Sequence, residues 1–106
     1  MINMQYNPDL WTIVAVTHKE DVYYRVLASW YGGYTRGDSW KLSSSIERLD
    51  DFGDHYEANN SSGSVYILPK NNVGMSSYSA SVLANLMDEC PPEVVMEVVD
   101  VEKVKL

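Results

Sequence analysis

Two stretches rich in β-branched and aromatic residues, Leu10-Trp11-Thr12-Ile13-Val14-Ala15-Val16-Thr17 and Val22-Tyr23-Tyr24-Arg25-Val26-Leu27-Ala28-Ser29-Trp30-Tyr31, flank the short polar break Lys19-Glu20-Asp21. Such side chains suit a pleated, half-buried surface, and a break this short joins neighbouring strands, so the pair predicts a hairpin. In the second stretch Val22, Tyr24, Val26, Ala28 and Trp30 share one face, while Tyr23, Arg25, Leu27, Ser29 and Tyr31 share a more amphipathic one. The first face is expected to meet the core.

Further along, Trp40 to Leu49 alternates imperfectly and reads as a third strand, closed by the turn signal Asp50-Asp51-Phe52-Gly53-Asp54. His55 to Asn59 forms a short polar strand, Asn60-Ser61-Ser62-Gly63 turns, and Ser64 to Leu68 forms an apolar strand ended by Pro69, which completes a meander. Ser76 or Ser77 can then cap a helix whose apolar positions Tyr78, Val82, Leu83 and Leu86 keep helical spacing. Pro91-Pro92 stops it, because proline offers no amide donor and disfavours helix in the residue before it. The six valines between Glu93 and Leu106 favour a strand, since branching at Cβ restricts χ1 more in a helix.

The expected fold is therefore a single α+β domain over residues 1–106, a mostly antiparallel β-sheet of about five or six strands with one helix, 77 to 89, packed on one face. Val26, Trp30, Val65, Ile67, Val82, Leu83 and Leu86 are the expected core. A chain of 106 residues, 45% hydrophobic and 22% charged, is of ordinary globular composition and large enough for one core.

Several function classes are disfavoured at this level. The longest apolar run, Ile13 to Val16, is far short of the roughly 20 residues a bilayer span needs, and the N-terminus lacks the basic and then apolar order of a secretory signal. Cys90 is the one cysteine, so no intramolecular disulfide can form, and a lone thiol fits a reducing cytosol. The formal charge is -7, with the acidity mainly after residue 46. No basic stripe is present to neutralise phosphates, so direct nucleic-acid binding is not expected. Electrostatics favours a protein partner with a basic surface. An exposed sheet edge also leaves pairing into a homodimer open.

The densest candidate for recognition is Trp30-Tyr31-Gly32-Gly33-Tyr34-Thr35-Arg36-Gly37-Asp38-Ser39-Trp40. Tyrosine, tryptophan and arginine bring wide contact area with a polar tip, so Tyr31, Tyr34, Arg36, Asp38 and Trp40 are the expected partner-binding residues. The competing reading makes Trp30 and Trp40 core residues, with Tyr31 and Tyr34 covering a strand edge. Asp50, Asp51, Asp54, His55 and Glu57 match no calcium loop, and His18, His55 and Cys90 do not make a zinc site, so no metal is expected. No cofactor is expected either. The serines lack a nucleophile elbow, and Cys90 sits beside Glu89, whose charge disfavours a thiolate, so the chain reads as a non-enzyme.

Ala28-Ser29-Trp30-Tyr31-Gly32-Gly33-Tyr34, continuing through Gly37-Asp38-Ser39-Trp40-Lys41-Leu42-Ser43-Ser44-Ser45-Ile46, resembles short uncharacterised accessory proteins of tailed bacteriophages infecting enteric bacteria. Gly63-Ser64-Val65-Tyr66 and the stretch from Tyr78 to Leu83 are similar to the same group. The resemblance implies a phage origin and residence in the host cytoplasm, and brings no catalytic residue or cofactor. It implies a small acidic protein that binds and inhibits or modulates a host protein, with a defence nuclease as one class of target. The alternative is a binder that sequesters a nucleotide-like ligand, stacking its base on Trp30, Tyr34 or Trp40 and holding its phosphate with Arg36.

Overall fold

The computed structural model describes residues 4–32 and 37–106. Eight strands and one α-helix are described: β1 (Gln5–Tyr6), β2 (Leu10–His18), β3 (Asp21–Trp30), β4 (Ser39–Leu42), β5 (Ile46–Asp51), β6 (His55–Asn60), β7 (Val65–Pro69), α1 (Ser77–Glu89) and β8 (Val94–Val99). The class is α+β. The strands divide into two four-stranded sheets, β1-β7-β6-β5 (sheet I) and β4-β3-β2-β8 (sheet II). All described strand-to-strand pairings are antiparallel except β1 with β7, and an isolated parallel bridge joins Trp11 to Val73.

The predicted hairpin is β2–β3, in register from Leu10↔Ser29 to His18↔Asp21. The predicted meander is β5–β6–β7, and the valine-rich tail forms β8 along the other side of β2. The third strand, expected as one run from Trp40 to Leu49, is instead two. β4 pairs with β3 in sheet II, and β5 pairs with β6 in sheet I. Ser43 makes the change of sheet. Its backbone N–H donates to Val26 O at 2.8 Å, and its hydroxyl accepts from Val26 N–H at 2.7 Å while donating to Ser44 O. A side chain thus takes over the ladder position, and the backbone beyond it is released toward the other sheet.

This division explains the burial. One face of sheet II meets sheet I through Trp11, Ile13, Val26, Ala28, Ile46, Ala58, Tyr66 and Leu68. The opposite face carries Val14 and Leu27 against Leu83 of α1. Covered on both sides, β2 buries every residue from Trp11 to Ala15, and β3 buries Val26, Leu27, Ala28 and Ser29. Period-two alternation alone gives β3 a single core face, whereas both faces are internal at its C-terminal half; Val22, placed on that face, is half exposed at 50%.

Sheet I is covered on one side only, among the described residues. On β7 the inward residues are Tyr66 and Leu68, and the expected Val65 and Ile67 are only half-buried. Val82 and Leu86 of α1, and Trp30, are likewise half-buried, while Val26 and Leu83 are fully buried as expected.

The helix begins where the capping rule puts it. Ser76 Oγ accepts the Ser79 N–H at 3.1 Å, and Cys90 leaves the helical conformation just before Pro91. The Ser29 hydroxyl donates to Ser79 Oγ at 2.7 Å, and Ser76 Oγ lies 3.1 Å from the same atom, so three buried hydroxyls satisfy one another where α1 crosses β3.

Three side chains have buried polar atoms with no partner among the described residues, at the Tyr66 hydroxyl, the Asn60 amide and the Arg25 Nε. Burial, with a smaller effect of Tyr6, pushes the Tyr66 phenol up to about 12. An unpartnered buried hydroxyl carries its desolvation cost without return. Tyr66→Phe is therefore expected to leave stability unchanged or raise it by about 1 kcal/mol in urea denaturation; a loss of that size would mean that the hydroxyl is bonded.

Candidate functional site

At the end of β3 the chain leaves sheet II and returns at β4. Tyr31, just past β3, is 57% exposed, and Asp38, just before β4, is also exposed. Tyr34 and Arg36 lie outside the described residues. Trp40 is half-buried on β4 and packs with the helix-side cluster of Val14, Leu27 and Leu83. Trp30 packs into the core between the sheets. The two tryptophans therefore serve opposite faces of sheet II and form no common stacking slot. Tyr31 and Asp38 remain the exposed residues of the expected set within the described chain.

The N-terminal segment completes this corner, and sequence reasoning did not include it. Asp9 Oδ2 accepts the Tyr31 backbone N–H at 2.8 Å, and the Trp30 indole N–H donates to Asn7 O at 3.0 Å. Tyr6 stacks on Tyr66 with centroids 4.8 Å apart, tilts against Trp30 at 6.4 Å, and lies under Lys41 Nζ at 5.3 Å. β1 has two residues, too few for any periodicity to register. The hydrogen bond from Tyr31 to Asp9 spans 22 residues and leaves no local pattern. The outcome is an exposed aromatic ring on a backbone held by a carboxylate, beside an aromatic stack that fixes the strand end.

The acidic turn between β5 and β6 is the second candidate, and its charges are largely matched in place. Arg48 meets Asp50 at 2.9 Å, Lys70 meets Asp51 at 2.8 Å, and His55 lies between Asp54 at 2.6 Å and Glu57 at 3.2 Å. Phe52, 55% exposed, stacks on the His55 ring at 5.2 Å. Among the described residues the acidic side chains without such a partner include Asp88, Glu93, Glu97 and Glu102, so the unmatched negative charge lies more on the C-terminal part than on this turn.

Asp54, and then Glu57, hold the His55 pKa above its ordinary value, while His55 lowers that of Asp54. Lys70, and then the Gly53 N–H, lower that of Asp51. Since the folded His55 pKa exceeds the unfolded one, its contribution is complete below the ordinary histidine range and is lost as pH rises through the folded value. The two aspartates act oppositely, losing their contribution as pH falls through their lowered values. His55→Gln is accordingly expected to lower Tm more at about pH 5.5 than at about pH 8.5. An equal loss at both would remove the imidazolium from this account.

Set against family models, curated proteins and solved structures, the chain shows no match to any of them. Among the described residues no helix is long and apolar enough to cross a membrane.

Proposed function

We propose that this is a non-catalytic binding protein of the phage accessory kind, which engages a host protein in the host cytoplasm and inhibits or modulates it. The observation that carries the reading is Tyr31: a large, exposed, amphipathic ring whose backbone is already fixed by Asp9, so that little ordering is needed on binding. Asp38 lies exposed across the same loop, and Tyr34 and Arg36, from the same motif, extend the proposed anchor set. The net charge of -7 suits a target with a basic surface, and a nuclease that closes on nucleic acid is one such class.

Where the hydroxyls go supports a non-catalytic role. Ser29, Ser76 and Ser79 bond to one another, Ser43 bonds to backbone, and Ser44 bonds to Ser62; each hydroxyl serves the fold. The test is affinity capture from host lysate with wild-type and Tyr31→Ala baits, followed by binding of the purified candidate at defined stoichiometry. A saturable partner retained by wild type and depleted on Tyr31→Ala supports the proposal; equal retention on both baits removes Tyr31 from it.

A further inference from the structure

We infer that the outer edge of β8 docks an extended, basic strand of a partner protein, which adds to sheet II as a further strand. β8 ends the order β4-β3-β2-β8 and has a neighbour on one side only. The chain past it turns in under the sheet, where Val101 and Val104 join the core between the sheets and the Tyr24 hydroxyl donates to Lys103 O at 3.4 Å. Strand alternation fixes which backbone groups stay free. The Ser43 N–H donates to Val26 O, so Val26 turns its backbone groups toward β4 and Arg25 turns its own toward β2. Carried through the pairs Arg25↔Val14 and Ala15↔Glu97, the alternation directs Glu97 toward β2 and aims the N–H and C=O of Met96 and Val98 away from the sheet. Among the described residues no backbone group pairs with them.

The remaining sheet edges carry devices that keep a strand from pairing with strangers, and β8 does not. β1 has two residues, β4 has four and includes Lys41, and β5 is highly charged with a register shift between Ile46 and Arg48. β8 runs for six residues in unbroken register without lysine or proline, and its Val95 and Val98 are 56% and 45% exposed. Charge selects the occupant. Glu97 stands exposed between Met96 and Val98, with Glu93 and Asp100 beyond the two ends of the strand, and none of the three has an ion-pair partner among the described residues. A second copy that used both Met96 and Val98 in antiparallel pairing would set Glu97 directly opposite its own counterpart, in the non-hydrogen-bonded pair where side chains are closest. Like charges so placed repel, whereas a lysine or arginine there meets the carboxylate. The fitting strand therefore has a cation at its centre, between β-branched residues that lie beside Met96 and Val98 on the helix side.

This edge lies across sheet II from β4 and shares no residue with the Tyr31 surface, so this inference and the proposed function stand separately. The probe is the acetylated and amidated peptide Thr-Arg-Val-Lys-Val-Arg-Thr, titrated into the full chain at low salt while amide exchange is followed residue by residue. Saturable binding is expected, with the Met96 and Val98 amides protected and those of β4 unchanged. Replacing the central lysine of the peptide by glutamate should weaken binding about fivefold or more, and Glu97→Lys should reverse that preference. Val98→Pro removes an outward N–H and no bond to β2, so it should abolish binding while the wild-type circular dichroism spectrum is retained. Glu97→Lys changes an exposed side chain and keeps the test decisive if proline disturbs the strand. No saturable binding, protection outside β8, or an unchanged preference in Glu97→Lys would overturn the inference. A dimer of the free chain in sedimentation, with Met96 and Val98 already protected, would overturn it in favour of a second copy.

Discussion

Trp11→Ala is expected to lower the unfolding free energy by about 3–5 kcal/mol, the largest single loss in the chain. Trp11 is 1% exposed and lies where the two sheets face each other. Its indole N–H donates to Pro69 O at the end of β7 at 2.7 Å, and its ring meets Tyr56 of β6 edge-on at 6.1 Å. Its backbone carries a further tie, a bridge to Val73 and acceptance of the Gly74 N–H at 2.8 Å. Alanine would keep the backbone ties and lose the rest, leaving a cavity bounded by both sheets and a carbonyl without its donor. Urea denaturation should show the midpoint falling with its slope unchanged. A loss under about 1 kcal/mol would mean that the sheets are not held together at this residue.

Leu83→Ala is expected to cost about 2–4 kcal/mol, by loosening the helix rather than the sandwich. Leu83 is 4% exposed, and with Ser79 it is the part of α1 fully buried, set against Val14 and Leu27. Val82, Leu86 and Met87 on that helix are half-buried and its remaining apolar side chains are exposed, so none replaces the lost volume. Hydrogen exchange should accelerate across 77–89 more than in β6. Uniform acceleration through both sheets would show instead that α1 and the sandwich unfold as one unit.

Much of this architecture is written in local pattern. The hairpin follows from two β-branched runs around a polar break, and α1 spans the predicted 77 to 89 because a capping serine and a proline pair mark its ends. What local pattern does not carry is which neighbour covers which face. Alternation defines two faces on β7, and the aliphatic Val65 and Ile67 compete with Tyr66 and Leu68 for the inside; sheet II decides the matter by packing on the tyrosine side. The break at Ser43 is hidden because a hydroxyl imitates a ladder bond, so the run through Leu49 keeps the look of a single strand.

The candidate surface is legible to a similar depth. Aromatic and glycine content singles out the loop, yet nothing local separates Tyr31, which stays exposed, from Trp40, which packs under the helix. The supporting residues Tyr6, Asn7 and Asp9 come from a segment whose role appears only when the chain closes. The acidic turn shows the reverse, since its charge is visible in the sequence while its matching with Arg48, His55 and Lys70 depends on pairing across strands and turns.

The central claim is that Tyr31 is an interaction anchor, and the most direct measurement compares partner affinity and Tm for Tyr31→Ala and Tyr78→Ala. Tyr78 is 47% exposed on α1 and serves as an aromatic of similar exposure away from the proposed surface. The prediction is that Tyr31→Ala weakens binding of the captured partner by about 1–3 kcal/mol, roughly five- to 150-fold, with Tm near wild type. Tyr78→Ala should bind as wild type does. Unchanged affinity in Tyr31→Ala, or a loss confined to Tyr78→Ala, would contradict the account and move the binding surface off the β3–β4 corner.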